Sequence, residues 1–214
     1  MAKGRSSPRV PGGAASPPVS DRDRIIDAAL ALIARDGWRR LAMAAIAAEA
    51  ELPILNLYRA FPSKIAILCA FFRRIDEVVL ATPVEAEIDE RPRDRVFDLL
   101  MRRFDALQPY RGAIEVLGRE LPTDPLAAMA AGAGLLRSVA WMLEAAGIAA
   151  DGLGGIVAVN LTASAYMRTL REWLRDDTVD LAPTMAALDR RLRGMERWYG
   201  RGPRPRRSAA EAQL

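Results

Sequence analysis

An all-α fold follows from three features of this 214-residue chain. Alanine and leucine dominate while β-branched and aromatic residues are sparse, the aromatics making up only 6% of the chain, and this balance favours helix over strand. No stretch alternates apolar and polar residues over a strand's length between turn signals. The run IAAEAELPILNLYRAFPSK, from Ile46 to Lys64, reads as two short helices joined by a tight turn, broken at Phe61-Pro62 and reopened at Ser63 and Lys64.

Residues 1–19 are rich in Pro, Gly and Ser with scattered cations, so they cannot bury enough surface to offset the entropy of ordering and are expected to form a disordered basic arm. Ser20 and Asp21 suit the N-cap of a first helix whose apolar positions Ile25, Ile26, Ala29, Leu32 and Ile33 recur at helical spacing until Gly37 stops it. Trp38 is expected over the small domain's core.

In the second helix Ile46 and Ala50 lie one turn apart and point inward, and Leu52 plugs the following turn. Pro53 opens the third helix, whose buried stripe is Leu57 and Phe61, leaving Tyr58 and Arg59 to face elsewhere. A long amphipathic helix capped by Ser63 runs to about Leu80 on the stripe Ile67, Leu68, Phe71, Phe72, Ile75 and Val79.

The acidic stretch from Thr82 to Pro92 is expected to be a linker, so residues 20–80 form one domain and residues 81–199 a second. A helix from Pro92 to Leu107 carries Val96, Leu99, Leu100, Phe104 and Leu107 on one face. A short helix follows Pro109, at about Arg111 to Arg119.

Thr123 or Asp124 then caps a helix to about Ala146, in which Gly132 and Gly134 predict a kink or break. The last two helices, at about Leu153–Arg175 and Leu181–Tyr199, carry small and apolar residues over much of their surface. They are expected to pair across a two-fold axis, with Trp173 and Trp198 at the helix-pair or dimer seam. The tail, residues 200–214, again reads as disordered and basic.

Chemistry is limited by what is missing. The chain has no histidine, which removes Ser-His and Cys-His nucleophiles and the commonest metal ligand, and its single cysteine, Cys69, sits in an apolar run. No metal, cofactor or enzyme activity is expected, and a reducing cytoplasm is the expected setting. DGLGG at 151–155 lacks the ending of a phosphate loop and reads as a turn, while Asp176 and Asp177 read as solvated or capping. No uninterrupted apolar run reaches the roughly 18 residues of a membrane span.

The net charge of +4 resides in the ends: residues 1–19 and 200–214 carry +3 each, leaving the body slightly acidic. Residues 20–80 hold nine Lys or Arg against eight Asp or Glu.

The pattern Gly37-Trp38, Ile46-Ala47, Ala50, Leu57-Tyr58-Arg59, Phe61-Pro62-Ser63-Lys64 resembles the helix-turn-helix of TetR-family repressors. The resemblance implies a homodimeric DNA-binding regulator, dimerised through the last two helices and released from a double-stranded operator by a small hydrophobic effector. It implies operator contacts from Arg39, Arg40, Ala44, Pro53, Ile54, Leu55, Asn56, Tyr58, Arg59 and Lys64.

The sequence departs from that pattern at Leu41, Ala42, Ala44, Glu51 and Pro53, the last standing where a Ser or Thr cap is usual. Leu41 and Ala42 stand where a polar cap is usual, Glu51 replaces the turn glycine, and Asn56 is the only good base-edge donor at the front of the third helix.

The C-terminal part, through Asp177, Thr178, Asp180, Thr184, Leu188 and Arg191, is also similar to the lipid-binding accessory proteins of ubiquinone biosynthesis, which keep this fold without regulating DNA. Both readings share an apolar pocket in the larger domain, for which Met101, Phe104, Tyr110, Leu136, Val139, Trp141, Met142, Tyr166 and Met167 are the candidate lining residues.

Overall fold

The computed structural model describes residues 20–82 and 91–199; the N-terminal arm, the C-terminal tail and most of the expected linker lie outside the described residues. Among the described residues every regular element is helical: α1 (Asp21–Asp36), α2 (Met43–Glu49), α3 (Ile54–Ala60), α4 (Lys64–Ala81), α5 (Pro92–Leu107), α6 (Arg111–Glu120), α7 (Pro125–Ala145), α8 (Gly152–Trp173) and α9 (Ala182–Arg193). Short 3-10 turns at Gln108–Tyr110, Leu121–Thr123 and Glu196–Trp198 join or follow them.

The helix starts obey local chemistry. The Ser20 hydroxyl accepts from the Asp23 N–H at 3.2 Å, Ser63 accepts from Ala66 at 3.2 Å, and the Asp124 carboxylate accepts from Ala127 at 3.1 Å, each satisfying an orphan donor of a first turn. Pro92 and Pro125 stand in the first turns of α5 and α7, where a missing N–H costs nothing.

α1 also fixes the two short helices behind it. The Arg24 guanidinium donates to the Ala50 carbonyl at 2.7 Å and that of Arg22 to the Ala60 carbonyl at 3.2 Å, so each closes the C-terminal end of a helix only seven residues long. Beneath them Ile25, Ile33, Trp38, Ile46, Leu57 and Phe71 are fully buried. At about 1.5–3 kcal/mol for each large apolar side chain removed from water, this packing rather than helix propensity holds α2 and α3 in place.

α4 packs against α1 on one side and against α5 and α7 on the other, so it belongs to both halves of the molecule. α8 lies between α7 and α9, and α9 also packs on α5.

Two sequence expectations change here. α7 runs unbroken through Gly132 and Gly134; packing of Ala127, Val139, Met142 and Leu143 outweighs the roughly 1 kcal/mol that a helical glycine costs. The last helix ends at Arg193, followed by Gly194 and a 3-10 turn, instead of continuing to Tyr199. Trp173 is wholly buried and stacked on Phe104 of α5 at 5.8 Å, so of the two places expected for it, it takes the seam between helices within the chain and not a dimer seam.

α7 is also long and apolar enough to cross a membrane by length and composition alone, with mean hydropathy 1.5 over an 18-residue window that is 28% buried. An uninterrupted apolar run stops at Arg137 and Ser138, whereas the average over the helix stays apolar.

Asp176 is buried and acts as a cap. Its carboxylate accepts from the Thr178 N–H and hydroxyl at 3.1 and 2.6 Å and from those of Thr184 at 3.0 and 2.6 Å, which ties the end of α8 to the start of α9. Burial works to raise its pKa, but these four bonds hold it down at about 2, below the ordinary carboxylate range.

A depressed folded-state pKa gives stability that is present above the unfolded value and lost as the pH falls through the folded one. Asp176→Ala should therefore cost about 2–4 kcal/mol in urea unfolding at pH 7. The difference from wild type should shrink between about pH 4 and pH 2, where the wild type itself loses this contribution.

Candidate DNA-binding face and effector cavity

α3 presents its outer face to solvent. Leu57 is fully buried beneath it, whereas Ile54, Leu55, Tyr58 and Arg59 are exposed, Tyr58 by 77%. Pro53 and Ala44 are exposed on the same unit, as is Arg40. Glu51, in the turn, adopts φ 53°, the left-handed region that glycine usually fills, and its exposed carboxylate lies 4.0 Å from the Arg24 guanidinium.

The other polar candidates are engaged inside the protein. The Asn56 amide donates to the Asp21 carboxylate at 3.0 Å, so the base-edge donor expected on α3 is held against the start of α1. Lys64 is partly buried, its ammonium donating to the Trp38 carbonyl at 3.0 Å and lying 4.5 Å above the indole ring. Arg39 faces the larger domain: its N–H donates to the Glu120 carboxylate at 3.0 Å and its guanidinium to the Thr123 hydroxyl at 3.0 Å. Of the cations expected at the operator, Arg40 and Arg59 alone have no bonded partner among the described residues.

Arg39 belongs to a clasp between the two halves. The Trp38 indole N–H donates to the Asp124 carboxylate at 3.0 Å, and Gly37, at φ 92°, lies so close to α6 that a Cβ there would meet the Glu120 carboxylate at 2.8 Å. The backbone N–H of Ala127 and then the Trp38 indole lower the Asp124 pKa, keeping it charged.

The same segment walls a cavity. A space of about 290 Å³ opens between α4, α5, α6, α7 and α8, with Leu121 and Pro122 of the clasp segment on one side. Its lining is apolar, including Phe72, Leu107, Leu117 and Leu135, apart from Arg103 and Tyr166. Gly118 of α6 and Gly132 of α7, both exposed, are among its lining residues.

Arg103 and Tyr166 belong to a buried polar network. Arg103 donates to Asp76 on α4 and, at 3.3 Å, to the Tyr166 hydroxyl, while Ser138 on α7 donates to the other Asp76 oxygen. Burial works to lower the Arg103 pKa, but Tyr166 and Asp76 outweigh it and hold it above the ordinary value.

Two of the nine expected pocket residues, Tyr166 and Met167, line this cavity. Phe104, Val139 and Met142 are core, Phe104 stacking on Tyr166 at 5.1 Å; Leu136 and Trp141 face outward from α7. Met101 packs on the core without lining the cavity, and Tyr110 accepts from Arg74 at 3.1 Å while packing edge-on against Phe71. An almost wholly apolar helix does not announce which of its faces is which: α7 gives Ala128, Ala131, Gly132 and Leu135 to the cavity.

The polar network was absent from the sequence reading, though a signal for it existed. Arg103 interrupts the apolar stripe of α5 between Leu100 and Leu107, and Asp76 interrupts that of α4 between Phe72 and Val79. A cation and an acid, each on an apolar helix face, can be buried only as partners.

These elements define an all-helical helix-turn-helix protein with a second, cavity-bearing helical half. Residues 25–71 match the family described as bacterial regulatory proteins, tetR family. That match takes in the helix-turn-helix segment, from α1 into α4.

It is 42% identical over 59 residues to the HTH-type transcriptional repressor KstR of Rhodococcus jostii and 41% identical over 59 residues to KstR of Mycolicibacterium smegmatis. These alignments take in 26% of this chain and only 28% and 29% of those relatives. The structure is similar to that of a TetR transcriptional regulator from Nitrosomonas europaea, with TM-score 0.64 and 26% identity over 83% of this chain and 98% of that one. A TetR regulator from a Rhodococcus species shares the fold at TM-score 0.58 and 22% identity, over 82% of this chain and 95% of that one.

Proposed function

We propose that this chain is a cytoplasmic transcriptional repressor that binds a double-stranded DNA operator as a homodimer and is released by a small hydrophobic effector held in the cavity. The observation that carries the reading is α3: within the segment that matches the family, it turns Tyr58, Arg59 and two aliphatic side chains to solvent, while Arg40, before α2, is exposed with no bonded partner among the described residues. Exposed aliphatic side chains can meet thymine methyl groups and arginines can meet phosphates or guanine edges, so base reading would rest on shape and apolar contact more than on Asn56.

The dimer face in this proposal is α7 with α8. Leu126, Met129, Leu136 and Trp141 form an exposed stripe along α7, Trp141 being 62% exposed, and Leu153, Ile156 and Met167 extend it on α8. This shifts the expected interface from the last two helices, because α9 already spends Thr184, Ala187, Leu188 and Leu192 on packing within the chain.

The test is titration of the full chain against a labelled duplex of its own upstream region and a scrambled duplex across a salt series. Preference for the native duplex is expected. Arg59→Ala or Arg40→Ala should each weaken binding by about tenfold and, where the lost contact is to phosphate, flatten the salt slope by about one. Sedimentation of Ile156→Arg should give monomers with weakened operator binding, whereas a dimer unchanged by it would move the interface elsewhere. Equal affinity for both duplexes, unaffected by Arg59→Ala, would refute the repressor reading.

A further inference from the structure

We propose that the cavity selects an uncharged, largely apolar molecule carrying one acceptor oxygen, a ketone or ester type, which takes its hydrogen bond from the Tyr166 hydroxyl. This rests on the effector-binding reading and specifies its ligand class.

The argument begins from charge. Arg103 and Asp76 form a pair at the inner wall, completed by Ser138, so this end of the cavity is electrically balanced before any ligand enters. Arg103 is only 2% exposed. A carboxylate ligand would bring a second anion to a single buried cation, leaving one negative charge uncompensated in an apolar enclosure, and an ammonium would meet the guanidinium directly. Both charged classes pay a desolvation cost that no group lining the cavity offsets.

The hydrogen-bonding capacity points the same way. The Tyr166 oxygen accepts from the Arg103 Nε at 3.3 Å, but its own hydrogen has no acceptor among the described residues, although the side chain is buried and lines the cavity. Burial raises the Tyr166 pKa, so the hydroxyl keeps that hydrogen at neutral pH. Donation from Arg103 polarises the O–H and makes it a better donor. Beside Arg103, the only other polar side chain of the cavity wall, this hydroxyl fits one acceptor on an otherwise apolar ligand.

The test uses displacement of the neutral fluorescent probe N-phenyl-1-naphthylamine from the full chain by undecane, undecan-2-one, decanoate and decylamine. Undecan-2-one should displace the probe at about fivefold lower concentration than undecane and at least tenfold lower than either charged compound, the scale of one buried hydrogen bond and one uncompensated charge. Tyr166→Phe, which keeps the ring on Phe104, should bring the ketone to the level of the alkane and leave the alkane unchanged.

Gly132→Leu should weaken all four, since a Cβ on Gly132 meets nothing within 4 Å and the side chain can enter the cavity. Decanoate binding more tightly than the ketone, or a ketone advantage that survives Tyr166→Phe, would overturn the proposed ligand class while leaving an effector site in place. Probe binding indifferent to Gly132→Leu would overturn the site itself, and with it the effector reading, without bearing on operator binding.

Discussion

The bond from the Trp38 indole to the Asp124 carboxylate joins two structures that would otherwise touch chiefly through α1 and α4. Around it, residues 120–124 carry several duties within one turn of chain. Glu120 ends α6 and accepts from Arg39, Leu121 and Pro122 wall the cavity, Thr123 receives the Arg39 guanidinium, and Asp124 caps α7. Any shift of this turn is felt at once by the cavity and by the helix-turn-helix. Gly37 comes close to the Glu120 carboxylate, and the Lys64 ammonium lies 4.5 Å above the Trp38 ring.

The buried network makes a second link of the same kind. Asp76 belongs to the long helix that leaves the DNA-binding half, while its partners Arg103, Ser138 and, through Arg103, Tyr166 come from three helices of the larger half. A paired charge in an apolar setting is costly to separate, so these four helices are held in one register unless something inside the cavity offers alternative partners. Rigid coupling of this sort suits a protein in which occupancy of one site is to be felt at another, because packed interfaces switch between arrangements instead of deforming smoothly.

The parts of this architecture set by local chemistry were legible in the sequence. Ser20, Ser63 and Asp124 announced their helices, the stripes of α1, α4 and α5 announced their buried faces, and Ile46, Leu57 and Phe61 announced the trihelical core. What long-range contact decides was not legible. Lys64, Arg39 and Asn56 occupy positions that suit DNA contact, yet each finds an internal acceptor, on Trp38, Glu120 with Thr123, and Asp21 respectively. The pocket suffered similarly, since α7 is apolar on nearly every side and only its neighbours determine whether Trp141 or Leu135 faces the cavity.

The central claim is that the clasp at residues 120–124 couples the cavity to the helix-turn-helix. The bonds of Trp38 and Arg39 to residues 120–124 make up the clasp, and a ligand that favours another arrangement of the cavity wall must loosen it. Hydrogen exchange of the peptide spanning residues 37–41, followed by mass spectrometry with and without saturating N-phenyl-1-naphthylamine, reads this directly, because the Arg39 N–H is itself a clasp bond. The account predicts faster exchange at 37–41 when the cavity is filled, with the buried core of α1 unchanged. Identical exchange in both states, with the probe demonstrably bound, would contradict it.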